Sequence, residues 1–239
     1  MRHGWEGVVL KLLRGKDFVF TVTGSERVTE RYQRVHFTDG GLLAAAGAHP
    51  TMWVRLWFDN AGKPHQRAYT LVDPDVEAGT FSLEFALHDG CAADWSLKAQ
   101  PGDTIDATLQ GTDFEVPDPL PGRMVVIGDP ASLPAINSLL GAVPDLPATI
   151  WFEIGHDSDL ELPLRLDPVR HELRPVHRDT GDLVGDVKAG LSDLVGDPAT
   201  AFVWIACDTV ITRTLSAYAL KELRMPKDRV KALGYWRPS

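Results

Sequence analysis

At 239 residues, with 44% hydrophobic and 24% charged residues, the chain can bury one large core or two smaller ones, and two domains of roughly 110 to 120 residues each are the expected division. Its net charge of −9 is the opposite of the broad basic face that a dedicated nucleic-acid binder presents, so nucleic acid is not an expected partner. The two cysteines, Cys91 and Cys207, lie far apart and form neither a disulfide framework nor a metal-ligand spacing, which fits a reducing cytoplasm.

Residues 1–16 read as a segment of their own. Trp5, Val8, Val9, Leu12 and Leu13 recur at helical spacing, with Arg2, Lys11, Arg14 and Lys16 left to the polar side and flank. Such a helix either docks on the protein or lies on a membrane surface. Lys11 and Arg14 break the apolar run and no small-residue cleavage site follows, so a signal peptide is not expected, and no stretch reaches the length of a membrane span.

From residue 17 to residue 120 the pattern is one of short strands. Phe18–Val22, Tyr32–Phe37, Met52–Phe58 and Phe81–Leu87 are rich in β-branched and aromatic residues, and turn signals separate them at 39–41, 59–62, 77–79 and 100–103. This spacing predicts a small antiparallel all-β barrel. A stiff connector, Val116–Gly122, follows. Over 121–239, strand-like runs at 124–127, 149–154, 173–176 and 202–205 alternate with helical patterns near 132–141, 183–195 and 209–223, which predicts a parallel α/β domain with ligands at the carboxyl ends of its strands.

Four short motifs carry the chemistry. Arg67-Ala68-Tyr69-Thr70 is placed at the start of a strand and combines a cationic fork, an aromatic face and a hydroxyl, a set able to grip a flavin dinucleotide. Leu87-His88-Asp89-Gly90-Cys91-Ala92-Ala93-Asp94-Trp95 reads as a turn into a helix of about two turns, whose small residues let backbone amides approach a pyrophosphate. Gly128-Asp129-Pro130-Ala131-Ser132-Leu133-Pro134-Ala135 occupies the first strand-to-helix turn of the second domain without a Gly-x-Gly-x-x-Gly or Walker fingerprint. Gly234-Tyr235-Trp236-Arg237 closes the chain, read either as packing residues of a last strand or as an aromatic cover. Cys207 reads as a nicotinamide neighbour or as a buried inert thiol.

In this order, the motifs resemble those of the siderophore-interacting proteins, FAD-dependent ferric-siderophore reductases of the ferredoxin-reductase superfamily, nearly end to end. The resemblance implies a ferredoxin-reductase-like fold, an FAD-binding barrel over 17–120 followed by an NAD(P)H-binding α/β domain over 121–239. It implies FAD contacts from Arg67, Ala68, Tyr69, Thr70, Leu71, Leu87, His88, Gly90, Ala92, Ala93 and Trp95, with Asp129 and Ser132 facing flavin and pyridine nucleotide. Tyr235 or Trp236 is expected to cover the flavin, and the residues expected at the reacting atoms are Tyr69, Thr70, Tyr235 and Trp236. Lys63 and Arg237 are the expected siderophore contacts, with Lys227, Arg229 and Lys231 as further cations. Two positions depart from the family pattern: Ala93 stands where Ser or Thr is common, and Ala206-Cys207-Asp208 where Gly-Glu-Ala is common. Some mycobacterial iron-siderophore ABC transporters carry such a domain at their N-terminus after a similar segment, which suggests transporter or peripheral membrane association through residues 1–16.

The implied activity is reduction of Fe(III) in a ferric siderophore, in the cytoplasm or at the inner face of its membrane, with NADH, NADPH or reduced ferredoxin as donor. No metal-binding residues of the protein's own are required. The charge distribution agrees with an anionic ligand: from Arg213 to Arg237 seven Lys or Arg face two acids, a balance of +5 that leaves −14 for the rest. Two alternatives stay open, a reductase of the same architecture serving another acceptor, and a siderophore-binding or transporter-associated module with little turnover.

Overall fold

The computed structural model describes residues 16–109 and 114–237, so the amphipathic segment expected over 1–16 lies, but for Lys16, outside the described residues. The chain divides into two compact units, one ending at Phe114 and the other beginning at Glu115.

The first unit contains β1 (Lys16–Thr29), β2 (Tyr32–Thr38), α1 (Leu42–Ala46), β3 (Trp53–Asn60), β4 (Lys63–Thr70), β5 (Val72–Asp75), β6 (Thr80–Ala86), α2 (Cys91–Lys98) and β7 (Thr104–Leu109). All seven strands join one antiparallel sheet in the order β4-β3-β7-β1-β2-β6-β5. Its two edge strands, β4 and β5, are consecutive in the chain and joined by Leu71 alone. A flat sheet of that many strands is roughly 28 Å wide, far beyond the reach of one residue, so the sheet curls until its edges meet. The amide of Leu71 donates to the Met52 carbonyl at 2.8 Å at that junction. Inside, alternate residues such as Phe20, Phe37, Leu56, Phe81, Leu83 and Phe85 form the core, with the Phe20 and Phe81 rings edge to face at 4.9 Å.

Arg67-Ala68-Tyr69-Thr70 ends β4 rather than starting a strand. The turn Ala61-Gly62, with φ of 53° and 79°, is the two-residue hairpin type that matches strand twist, and it commits the chain to pairing from Asn60 opposite Lys63 through Trp53 opposite Thr70. Pro64 is tolerated because β4 lies at a sheet edge. Neither β7 nor the four-residue β5 is foreseen in the sequence, because Asp and Ala within Thr104–Leu109 and Pro within Val72–Asp75 are poor strand formers that tertiary pairing overrides.

The second unit contains β8 (Arg123–Gly128), α3 (Leu133–Ala142), β9 (Ala148–Ile154), β10 (His171–His177), α4 (Leu183–Val195), β11 (Ala201–Ala206), α5 (Thr209–Ala217) and β12 (Val230–Ala232). The five strands are parallel in the order β10-β9-β8-β11-β12. The winding therefore reverses between β8 and β11, the topological switch point at which such sheets hold ligands. Every residue of β9 and β11 is buried, as strands covered on both faces require. The helical pattern read to residue 223 ends its α-form at Ala217 and continues as one turn of π-helix, Tyr218–Glu222.

Arg229, grouped above with the surface cations, is only 5% exposed, and its guanidinium donates to the Pro119 carbonyl at 2.8 Å. It anchors the connector and presents no charge to a substrate. Among the described residues no helix is long and apolar enough to cross a membrane.

Candidate functional site

Two of the four motifs converge in the barrel unit. Tyr69, from the end of β4, lies against Phe85 with ring centroids 4.4 Å apart and meets Phe58 edge-on at 6.2 Å. Trp95, from α2, contacts the same two rings at 6.2 and 5.8 Å. Phe58 and Phe85 thus form a common floor that fixes β4 and α2 side by side.

Arg67 and Tyr69, two apart on a strand, share one face. Arg67 is exposed, and among the described residues its guanidinium donates to the Gln66 carbonyl at 2.9 Å. Tyr69 is half-buried, and burial pushes its hydroxyl well above the usual range, so it stays protonated. Ala68 is exposed on the other face, whereas Thr70 and Leu71 are buried at 5% and 3% exposure.

α2 begins at Gly90, whose φ of 153° is a conformation that residues with a Cβ rarely adopt. No side chain caps the helix, so its first-turn amides are left without a side-chain acceptor, and the buried Ala92 and Ala93 add no bulk beside them. His88 is exposed and donates from Nδ1 to the Asp89 carbonyl at 2.9 Å, while Leu87 packs half-buried against the core. An uncapped helix start, an exposed guanidinium and an aromatic ring together fit an anionic pyrophosphate joined to a planar ring system.

The other two motifs meet at the switch point of the α/β unit. A Cβ on Gly128 would lie 2.5 Å from Ser132 Oγ and 2.6 Å from Ile136 Cδ1, so only glycine allows β8 to turn so tightly into α3. Asp129 Oδ1 accepts from the amides of Ala131 and Ser132 at 3.0 and 3.2 Å, and the Asp129 amide donates to Ser132 Oγ at 3.0 Å. Both side chains are fully occupied and buried. Asp129 Oδ2 accepts from the Trp236 indole at 2.6 Å. Burial raises the Asp129 carboxyl to about 6, against the opposing hydrogen bond from Trp236, while nearby Glu153 adds to the rise.

The terminal segment runs along the carboxyl end of β11. Amides of Leu233 and Tyr235 donate to the carbonyls of Ile205 and Cys207 at 2.9 and 2.8 Å, and the Thr209 amide donates to the Trp236 carbonyl at 2.9 Å. Tyr235 meets Trp204 edge-on at 6.3 Å. Cys207 is fully buried and its thiol is pushed well up by that burial, which makes it an inert packing residue. Lys63 is exposed beside the β3–β4 turn, and Arg237 is exposed directly after Trp236.

Sequence reasoning missed a further group at the ends of β9 and β10. Arg178 donates to Glu153 Oε2 at 2.8 Å from Nε and lies 5.2 Å over the Trp236 ring. Residues 154–157 and 177–180 line a cleft of about 320 Å³ beside it. Its only sequence signal is position, since each wall is the segment leaving a parallel strand at its carboxyl end. Among the described residues no cluster of His, Cys, Asp or Glu is arranged to hold a metal.

Comparison with known proteins agrees with this geometry. Residues 121–239 match the family model described as siderophore-interacting protein, and residues 49–109 match the one described as siderophore-interacting FAD-binding domain. The chain is 32% identical over 246 residues to the mycobactin import ATP-binding/permease protein IrtA of Mycolicibacterium thermoresistibile, covering 99% of this chain and 26% of that protein. It therefore spans about a quarter of the length of that curated relative. The ferric acinetobactin reductase of Acinetobacter baumannii is 22% identical over 200 residues, covering 79% of this chain and 67% of the reductase. Among solved structures, the siderophore-interacting protein of A. baumannii superposes with a TM-score of 0.79 at 20% identity, covering 94% of this chain and 91% of that one. A ferredoxin NADP+ reductase from Neisseria gonorrhoeae, solved with FAD and NADP, gives 0.71 at 13% identity over 92% and 99%. The fold is ferredoxin-reductase-like, a curled antiparallel sheet followed by a parallel α/β domain.

Proposed function

Since the chain belongs to the siderophore-interacting protein family, we propose that it is an FAD-dependent, nicotinamide-nucleotide-driven reductase of ferric siderophores. The observation that carries this reading is the common floor of Phe58 and Phe85, which sets the Arg67–Tyr69 face of β4 beside the uncapped start of α2 within the matched FAD-binding domain. Bound FAD accepts a hydride as two electrons and can pass them singly to Fe(III).

The residues of the chain bind and orient. The Arg67 guanidinium and the first-turn amides of α2 hold the pyrophosphate, and Tyr69 offers its ring, with a hydroxyl that remains a proton donor through neutral pH. Ala93 supplies backbone alone where a hydroxyl would add one more bond. Lys63 in the first unit and Arg237 in the second are exposed cations, each a candidate contact for an anionic chelate, and iron is held by the siderophore throughout.

The test begins with an absorption spectrum of purified protein, which should show bound flavin, lost in Arg67→Ala. NADH and NADPH are then added in turn, and Fe(II) release from a ferric siderophore is followed with a ferrous chelator. Flavin that is reduced without Fe(II) release points to another acceptor. Absence of flavin from the unaltered protein ends the reading.

A second reading draws on the 32% identity to IrtA, of which the chain spans 26%. Here the same chemistry serves a membrane importer at its cytoplasmic side. Ferric-siderophore reduction by the isolated chain, compared with that by the chain joined to a permease, separates a free-standing role from a tethered one.

A further inference from the structure

Alternation along the barrel strands sends one set of side chains outward. Val54, Leu56 and Phe58 of β3 and Ile105 and Ala107 of β7 belong to the inner core, so Trp53, Arg55, Trp57 and Asp59, and beside them Asp106 and Thr108, point the other way. The Trp57 indole donates to Thr108 Oγ1 at 3.0 Å, that hydroxyl donates to Asp17 of β1 at 2.8 Å, and the Arg55 guanidinium lies 5.0 Å over the Trp53 ring. Trp57 is only 2% exposed and Thr108 1%, although both point away from the core. The helices α1 and α2 do not account for this, because Leu42, Leu43, Ala92 and Trp95 pack them against the inner cluster. Two indoles on an outward face mark a surface that another segment covers.

The chain reaches the sheet beside this face. Asp17, Thr108 and Arg55 stand in register across β1, β7 and β3, and Lys16, the first described residue, pairs with Leu109 one step further on. Residues 1–15 therefore lead off two strand spacings, about 10 Å, from β3. Their stripe of Trp5, Val8, Val9, Leu12 and Leu13 spans about 12 Å as a helix, against about 14 Å from Trp53 to Trp57 along the strand. Side-chain charge agrees: Arg2, Lys11 and Arg14 against Glu6 leave +2 on the segment, and Asp17, Asp59 and Asp106 against Arg55 leave −2 on the face.

We propose that residues 1–15 fold back as a strap over the outer face of β3 and β7, seating their apolar stripe on Trp53 and Trp57 and their cations beside the three aspartates. β3 pairs with β4 from Trp53 opposite Thr70 to Leu56 opposite Arg67, so the strap backs the strand pair that carries Arg67–Thr70.

The test is trypsin cleavage of the native full chain after Lys11 and Arg14, followed by mass spectrometry and compared with a free peptide of the same N-terminal sequence. A seated strap is cut at least about tenfold more slowly than the peptide. Trp5→Ala in the segment and Trp53→Ala on the face should each bring the rate toward that of the peptide, with unchanged circular dichroism as the check on folding. Val19→Asp, half exposed on the same outward side but on β1, beyond β7, should not. Cleavage of the unaltered chain at the peptide's rate overturns the inference, as does protection that either tryptophan variant leaves intact or that Val19→Asp relieves equally. A segment that lies on a membrane instead is cut at the peptide's rate in buffer and protected only by phosphatidylglycerol vesicles, which overturns it as well.

Discussion

Trp236 reaches from the end of the described chain to the first strand of its sheet, donating its indole N–H to Asp129 at 2.6 Å beneath the Arg178 guanidinium. One bond thus ties the terminal segment to the turn after β8, and both sit at the switch point of the winding. The same carboxylate caps the single 3-10 turn Pro130–Ser132 that leads into α3, while α3 itself starts from Ser132 without a side-chain cap.

This arrangement makes stability depend on pH. Asp129 titrates at about 6 in the folded chain, against roughly 3.9 unfolded. Between those values the folded state holds a proton that the unfolded state has released, so stability falls as pH rises through the window and is level above it. The difference in unfolding free energy between the unaltered protein and Asp129→Asn should drop by roughly 2 kcal/mol from pH 4 to pH 7. Urea titrations of both proteins across that range check it. Trp236→Phe removes a bond that favours the carboxylate, and should move the midpoint of the drop upward.

In the barrel, Glu84 is buried and accepts from Arg34 at 2.9 and 2.6 Å and from the Tyr32 hydroxyl at 3.1 Å. Replacing it by Gln leaves a guanidinium with half its partners, a loss of about 2–4 kcal/mol. The cost stays below that of a fully buried pair because Arg34 keeps Glu26 at 3.0 Å and some water. Glu26→Gln, on the exposed side of the same arginine, should cost less than about 1 kcal/mol. Near-equal losses in the two variants, measured by urea unfolding, would show that burial does not set the value of this cluster.

The sequence made these two clusters legible to very different degrees. Periodicity was enough for β8, β9 and β11, whose apolar runs are long and wholly buried, and for α4, whose buried residues Leu183, Val187, Leu191 and Val195 repeat every four positions. It was not enough for β7 or for the three residues of β12, which exist because neighbouring strands pair with them. Arg67, Tyr69, Gly90 and Trp95 could be singled out because each has a distinctive chemistry within a short motif. Arg178, Glu153 and Asp157 carry no local signature, and only the parallel winding brings their strand ends to one edge. Nor could charge counting tell Arg229 from Lys227, since burial against Pro119 is a tertiary fact.

Gly90 offers a test of the flavin site that does not touch a charged group. Its φ of 153° strains any residue with a Cβ by about 1–3 kcal/mol. Gly90→Ala should relieve that strain by shifting the first turn of α2, and the purified protein should carry clearly less flavin. Gly102→Ala carries comparable strain at φ of 95°, in the turn beyond the other end of α2. It should lower stability while leaving flavin content unchanged. Equal flavin loss in both variants would mean that general destabilisation, rather than the helix start, controls retention.

The exposed cations can be separated from the buried one by kinetics. Lys63 and Arg237 lie at the surface, whereas Arg229 spends its guanidinium on the Pro119 carbonyl. A docking charge acts equally on the bound substrate and on the transition state, so Lys63→Ala should raise KM for an anionic ferric siderophore by about two- to tenfold with kcat unchanged. Arg237→Ala should behave in the same way. Because such charges are screened over about 8 Å at physiological ionic strength, the effect should shrink as salt is added and be absent for a neutral chelate. Arg229→Ala should instead lower the unfolding midpoint and leave KM alone once folded protein is compared. If Lys63→Ala changes anionic and neutral chelates alike at every salt concentration, that lysine is ordinary solvated surface and the chelate docks elsewhere.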